Sequence, residues 1–156
     1  MNALRNTLRT AGLATLGTTL AAAWVGRRET GHASAPLNAT CHIVWGDDAA
    51  THDAFDLQHT VVGATLNAAA MLSWAAVQEA LLGRWARRGG AARALLGGAA
   101  VSALAYWVDY HVVPRRLTPG FEMRLSRAGM TAMYAALALS LAAGLAKGRR
   151  EAAEEK

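Results

Sequence analysis

The chain of 156 residues has one cysteine, three prolines and two phenylalanines. A single cysteine, Cys41, excludes an intramolecular disulfide. Asn38-Ala39-Thr40 precedes it, not the Leu-then-small-residue pattern of a lipid-anchored cysteine, and it lies far beyond the first apolar run. There is no H-x-x-H, H-E-x-x-H or C-x-x-C, so no short metal motif is present. Charge is missing over long intervals: Thr10–Gly26, Thr60–Gln78, Ala94–Trp107 (extending to Val113 with Asp109 as its one charge) and Ala128–Ala146.

Those intervals are what the chain does have, and they predict an integral membrane protein. About 20 apolar residues as a helix cover a hydrocarbon core of roughly 30 Å. In lipid no backbone N–H or C=O can be left without a partner, so each interval must close its hydrogen bonds as a helix. The expected fold is all-α: a membrane four-helix bundle forming a single domain, with spans at about 8–25, 57–82, 92–113 and 124–146. The basic start Met1–Arg9 and the small-residue run Ala33-Ser34-Ala35 resemble a cleavable signal. Pro36 after that run, Arg27-Arg28 directly after the apolar stretch and the polar residues between favour an uncleaved helix.

The net charge of +5 does not point to nucleic acid, because the basic residues flank the apolar spans. With both termini cytoplasmic, ten Lys and Arg fall inside (Arg5, Arg9, Arg84, Arg87, Arg88, Arg93, Lys147, Arg149, Arg150, Lys156) and six outside (Arg27, Arg28, Arg115, Arg116, Arg124, Arg127). The expected location is the bacterial inner membrane, with the lipid bilayer as the first partner.

The outer loop, 27–56, is predicted to be partly helical. Pro36 starts and Gly46 ends one short helix whose Leu37, Cys41, Val44 and Trp45 share helical spacing. Asp47-Asp48 reads as a further helix start that leads into span 2. Span 2 carries the stripe His59, Gly63, Asn67, Met71, Trp74 and Gln78, which should face the bundle interior. Asn67 and Gln78 are expected to bond across to span 3 or 4. Thr15, Thr18 and Thr19 of span 1 can bond to their own helix carbonyls. Glu79 is expected to pair with Arg84 or Arg93 at a basic turn spanning Gly83–Arg93. Ala94, Gly98 and Ser102 of span 3, and Gly129, Met133, Ala136 and Ser140 of span 4, form faces suited to close helix contact. Trp24, Trp45, Trp85 and Trp107 fall at predicted interfaces, Pro119-Gly120 suits a type II turn, and Glu151–Lys156 is a solvated tail.

Histidine is distributed on one side only: His32, His42, His52, His59 and His111 are all predicted outside, with Asp47, Asp48, Asp53, Asp56, Asp109 and Glu122. Imidazole with carboxylate suits metal binding or proton transfer. On a helix His52, Asp56 and His59 stand at i, i+4 and i+7, hence on one face, and could hold a divalent metal if His42, His111 or Asp109 closed the shell. More simply, they are the polar start of a membrane helix. Asp109 and His111 near the end of span 3 read either as an ion pair with Arg115 or Arg116, or as an exchanging Asp/His pair level with His59. Bis-histidine haem ligation is disfavoured, since only His59 and His111 come near a span and both lie at one rim.

The run Leu37-Asn38-Ala39-Thr40-Cys41-His42-Ile43-Val44-Trp45-Gly46, followed by His59-Thr60, Asn67, Trp74 and Glu79, and then Asp109 with Val113-Pro114-Arg115-Arg116-Leu117-Thr118-Pro119-Gly120-Phe121-Glu122, resembles a group of small, uncharacterised four-span inner-membrane proteins of Gram-negative bacteria. The resemblance covers about 36–122. It implies the fold, and that Asn38, His42, Trp45, His59, Asp109 and the Pro-Arg-Arg turn form one unit. It implies no activity. Three readings stay open: a structural or interaction subunit, as a homo-oligomer or with a membrane-protein partner; a metal-dependent or acid/base membrane enzyme drawing on His42, His52, His59, Asp56, Asp109 and His111; and a small transporter or channel subunit with a polar path along Asn67 and Gln78.

Overall fold

The computed structural model describes residues 3–154, with side chains as far as Gly148. It is all-helical, with no strand among the described residues: α1 (Ala3–Glu29), α2 (Ala35–Ala39), α3 (His42–Trp45), α4 (Leu57–Arg87), α5 (Ala91–His111) and α6 (Arg127–Glu154), with 3-10 turns at Asp47–Thr51, Arg115–Leu117 and Phe121–Met123. Within these, Leu57–Arg87, Ala91–His111 and Arg127–Gly148 are long and apolar enough to cross a membrane. Only 22% of the apolar window of α4 and 33% of that of α5 is buried within the chain. Helices so apolar and so poorly covered need lipid or another chain around them. The run of Thr, Gly and Ala keeps α1 below that level of hydropathy, although it packs along both α4 and α6.

Helix boundaries differ from the expected spans for physical reasons. The α4 helix runs on through Gly83 to Arg87, so the basic turn shrinks to 88–90. Its last turn is tied back by the Arg87 guanidinium, which donates to Glu79 at 2.8 Å. Glu79 therefore pairs with Arg87, not with Arg84 or Arg93, and also accepts from Asn6 at 3.3 Å. α6 starts at Arg127, not 124, because Phe121–Met123 forms its own 3-10 turn. The Glu29 carboxylate of α1 fixes that start, accepting from the Ser126 backbone N–H and hydroxyl, both at 2.7 Å. The expected tail continues α6 to Glu154, and residues 155–156 lie outside those described.

Small residues set the helix contacts. A Cβ added at Gly98 of α5 would run into the Ala138 carbonyl and Ala142 of α6. One added at Gly17 would run into Ser140, and one at Gly144 into Thr10. Ser102 donates to the Tyr134 carbonyl at 2.6 Å. The small faces of α5 and α6 are thus consumed within the chain. Between them lies a core of Ala14, Met71, Val101, Ala105, Leu137 and Leu141.

The polar stripe of α4 does face inward: Gly63, Asn67, Met71 and Gln78 are buried and Trp74 is half-buried. Gln78 Nε2 donates to the Leu141 carbonyl of α6 at 3.0 Å, as expected. Asn67 does not reach α5 or α6. Its Nδ2 donates to Thr18 Oγ1 of α1 at 3.1 Å, while the Thr18 hydroxyl donates back to the Ala14 carbonyl at 2.8 Å. A threonine that satisfies its own helix still has a lone pair to offer a neighbour. Asn67→Ala should lower stability by about 0.6–2 kcal/mol. Thr18→Val in that background should cost less than it does in the native chain, measured as a double-mutant cycle by thermal unfolding in detergent.

Candidate functional site

The segment joining α1 to α4 is folded over the end of the helices where all five histidines lie. It forms two short helices, not one: α2 stops at Ala39, α3 runs from His42, and Gly46 with φ +88° ends the pair. Leu37 and Cys41 point inward at 5% and 0% exposure, whereas Val44 and Trp45 are exposed. Asp47–Thr51 is a 3-10 turn and the chain is extended at His52 and Asp56, so this stretch does not continue into α4.

Asn38 holds the segment in place. It is fully buried; its Nδ2 donates to the carbonyls of His52 (2.8 Å) and Ala54 (2.9 Å), and its Oδ1 accepts from Thr60 Oγ1 (2.8 Å). One amide thus satisfies two carbonyls of the extended stretch and the first turn of α4. Beneath it the Leu37 carbonyl lies directly on Gly63, where no Cβ would fit. Cys41 is a packing residue: its thiol donates to the His59 carbonyl at 2.9 Å, and burial pushes its pKa up. Arg124 pairs with Asp53, and Ser34 donates to the Asp53 carbonyl at 2.7 Å.

His42 is buried between this segment and the turn after α5. Its Nδ1 lies 3.0 Å from the Ala39 carbonyl and its Nε2 3.3 Å from the Arg115 carbonyl. Gly120 makes this possible. Its φ of +81° and ψ of −6° are those of the third residue of a type II turn, as expected after Pro119. A Cβ there would sit 2.6 Å from the Ala39 carbonyl and 2.7 Å from His42 Nδ1.

His52, Asp56 and His59 do meet, but not along a helix. Asp56 is the N-cap of α4, accepting from the His59 N–H at 2.7 Å, and His59 Nδ1 lies 2.9 Å from its other oxygen. The His52 ring lies on the His59 ring, centroids 4.0 Å apart, and Trp45 meets His59 edge-on at 5.1 Å. Asp56 takes up His59 Nδ1. Among the described residues no group of three or more His, Cys, Asp or Glu is arranged to hold a metal ion. His52, Asp56 and His59 therefore form a helix cap with a tilted ring contact.

Asp109 pairs with neither arginine and not with His111. Arg115 reaches Asp47 at 3.6 Å, Arg116 donates to the Val44 carbonyl at 3.3 Å, and the exposed His111 lies 3.2 Å from the Trp107 carbonyl. The partner of Asp109 is Tyr134 of α6, whose hydroxyl donates at 2.6 Å. Beside it Tyr110 donates to Glu122 at 3.0 Å, and Glu122 also accepts from Thr118 at 2.8 Å. Tyr134 was not foreseen, though a lone phenol in an apolar span is a signal of the same kind as Asn67.

Asp109 and Tyr134 edge a cavity of about 100 Å³ under the folded segment. Its roof includes Ile43, Leu117 and Pro119, and its walls are Leu66, Met71 and Trp74 of α4 with Leu137 of α6. Asn67 and Thr18 close its inner side. The cavity is mostly apolar and carries a hydrogen-bonded carboxyl and phenol at one wall. No family model, curated protein or solved structure matches the chain, so its chemistry is read from this geometry.

Two outcomes follow for the segment. Asn38→Ala strands two carbonyls and a hydroxyl and should cost about 2–4 kcal/mol in thermal unfolding, with faster proteolysis within 46–56. The His59 N–H, ahead of its imidazole, holds the Asp56 carboxyl below its usual 3.8. Because the folded value is depressed, the stabilisation is complete above the ordinary aspartate range and is lost as pH falls through the folded value. Asp56→Asn, which still caps the helix, should shift the melting temperature little under acid conditions and more at neutral pH; an equal shift at both would assign Asp56 no acid-sensitive role.

Proposed function

We propose that this chain is a four-span inner-membrane protein with cytoplasmic termini, in which α1 is the fourth span, and that its outer cavity binds the amine head of a small lipophilic molecule. The carrying observation is Asp109. It stands in a helix apolar enough to cross a membrane, two residues from its end, and among the described residues no basic side chain pairs with it. Acidic groups in such positions are costly unless they serve a partner. A cavity edged by that carboxyl, with the rings of Trp74 and Tyr134 in its walls, suits a cation better than an anion or a neutral alcohol. Its volume admits a head of a few heavy atoms, and the remaining apolar part would extend toward lipid.

The other readings draw less support. The faces of α5 and α6 that would have joined copies are packed inside the chain, and Asn67 and Gln78 are tied to Thr18 and the Leu141 carbonyl, not strung along a path. The resemblance to small four-span proteins of Gram-negative bacteria agrees with the location and adds no ligand.

The test compares n-butylamine with n-butanol as ligands of the detergent-purified protein. Butylamine at tenfold above its dissociation constant should stabilise the native chain by about 1.4 kcal/mol, and butanol at the same concentration far less. Asp109→Asn should abolish the difference, and Tyr134→Phe should weaken amine binding about fivefold. Equal shifts with both ligands, or none with either, would refute the amine site.

A further inference from the structure

A second cavity opens on the outer surface between α5 and α6, a cleft of about 950 Å³ separate from the Asp109 cavity except for their shared wall at Tyr134. Its floor is made of alanines from both helices, Ala99 and Ala103 of α5 and Ala135 and Ala138 of α6. Tyr106 forms one wall, 45% exposed, its ring edge-on to Tyr134 at 5.2 Å. The mouth carries two opposite charges, Glu122 and Arg127. Arg127 is exposed, and although its carbonyl accepts from Thr131, its guanidinium makes no hydrogen bond or ion pair among the described residues. Glu122 accepts from Tyr110 and Thr118, which fix its carboxylate and leave lone pairs for another donor.

Length and charge select the occupant. From Arg127 to Ala138 the helix rises eleven residues, about 16 Å at 1.5 Å each. That is one leaflet's share of a core of roughly 30 Å. The cleft is therefore apolar and shallow over the depth of one acyl chain and dipolar only at its outer end. A second copy of the chain would bring a helix along the whole floor but supplies no reason for a paired cation and anion at one mouth. A phospholipid with a primary amine does: its phosphate meets the Arg127 guanidinium and its ammonium donates to Glu122. A choline head has no N–H to donate, and a glycerol head has no cation.

We infer that the α5–α6 cleft is a binding site for one phosphatidylethanolamine-type phospholipid, held at its phosphate by Arg127 and at its amine by Glu122, with an acyl chain along the alanine floor. The inference rests on α5 and α6 crossing the bilayer, but not on the Asp109 site or its amine ligand.

The full chain in mild detergent, given equal amounts of dioleoyl phosphatidylethanolamine, phosphatidylcholine and phosphatidylglycerol, should retain one ethanolamine lipid in native mass spectrometry about fivefold over either competitor. Glu122→Gln should bring the ethanolamine and choline lipids level. Arg127→Gln should reduce retention of all three, and Ala135→Phe, which fills the floor without touching the mouth, should do the same. Equal retention of the three lipids by the native chain, or retention indifferent to Ala135→Phe, overturns the site. A dimer that Ala135→Phe dissociates, with no lipid held, gives the cleft to a second copy. A chain that stays dissolved without detergent removes the membrane premise itself, a result distinct from a failure of lipid choice.

Discussion

The end of this molecule that carries the histidines depends on the side-chain amide of Asn38. Helices of five and four residues cannot persist alone, because the cost of nucleation is never recovered over so few hydrogen bonds. α2 and α3 hold because Asn38 exchanges water for two carbonyls and a hydroxyl at 2.8–2.9 Å. An apolar residue there would leave those groups buried and unpaired, and a charged one would lack either the donors or the acceptor. With Asn38 fixed, the Leu37 carbonyl can rest on Gly63, His42 can span to the Arg115 carbonyl, and Gly120 can close against Ala39. Each of those contacts joins a different piece of chain to the same small plug.

The plug also accounts for the cavity below it. α4 meets α5 much less than α5 meets α6. Gly98 and Ser102 let α5 approach α6, and the large rings of Trp74 on α4 and Tyr134 on α6 line the gap that is left. Ile43, Leu117 and Pro119 then roof the gap without filling it. A carboxyl at such a place has few waters with which to share its charge, and the Tyr134 hydroxyl supplies one strong hydrogen bond where solvent would supply several.

Periodicity and charge patterning made the long helices, the inward stripe of α4, the type II turn and the gathering of histidines at one end readable before any coordinates. What the sequence could not reveal were pairings across elements. His52, Asp56 and His59 look like a helical ligand triad only if the backbone between them is helical, and Asn38 draws off the carbonyls of His52 and Ala54, which keeps that backbone extended. Asp109 invited an arginine from the nearby turn. The turn folds away toward Asp47 and the Val44 carbonyl, and a phenol from a different helix takes the place. Asn67 invited α5 or α6 and found α1, since Thr18 back-bonds to its own helix and still accepts. In each case the residue type was informative and its partner was decided by which helices the small residues allow together.

Tyr134 is where these strands meet. Its hydroxyl donates to Asp109 at the cavity under the folded segment, its ring stands in the wall of the α5–α6 cleft, and its carbonyl accepts from Ser102 of α5. A side chain so placed makes the two spaces neighbours through a single ring. Tyr106 meets its ring edge-on in the cleft, and Asp109 takes its hydroxyl on the other side.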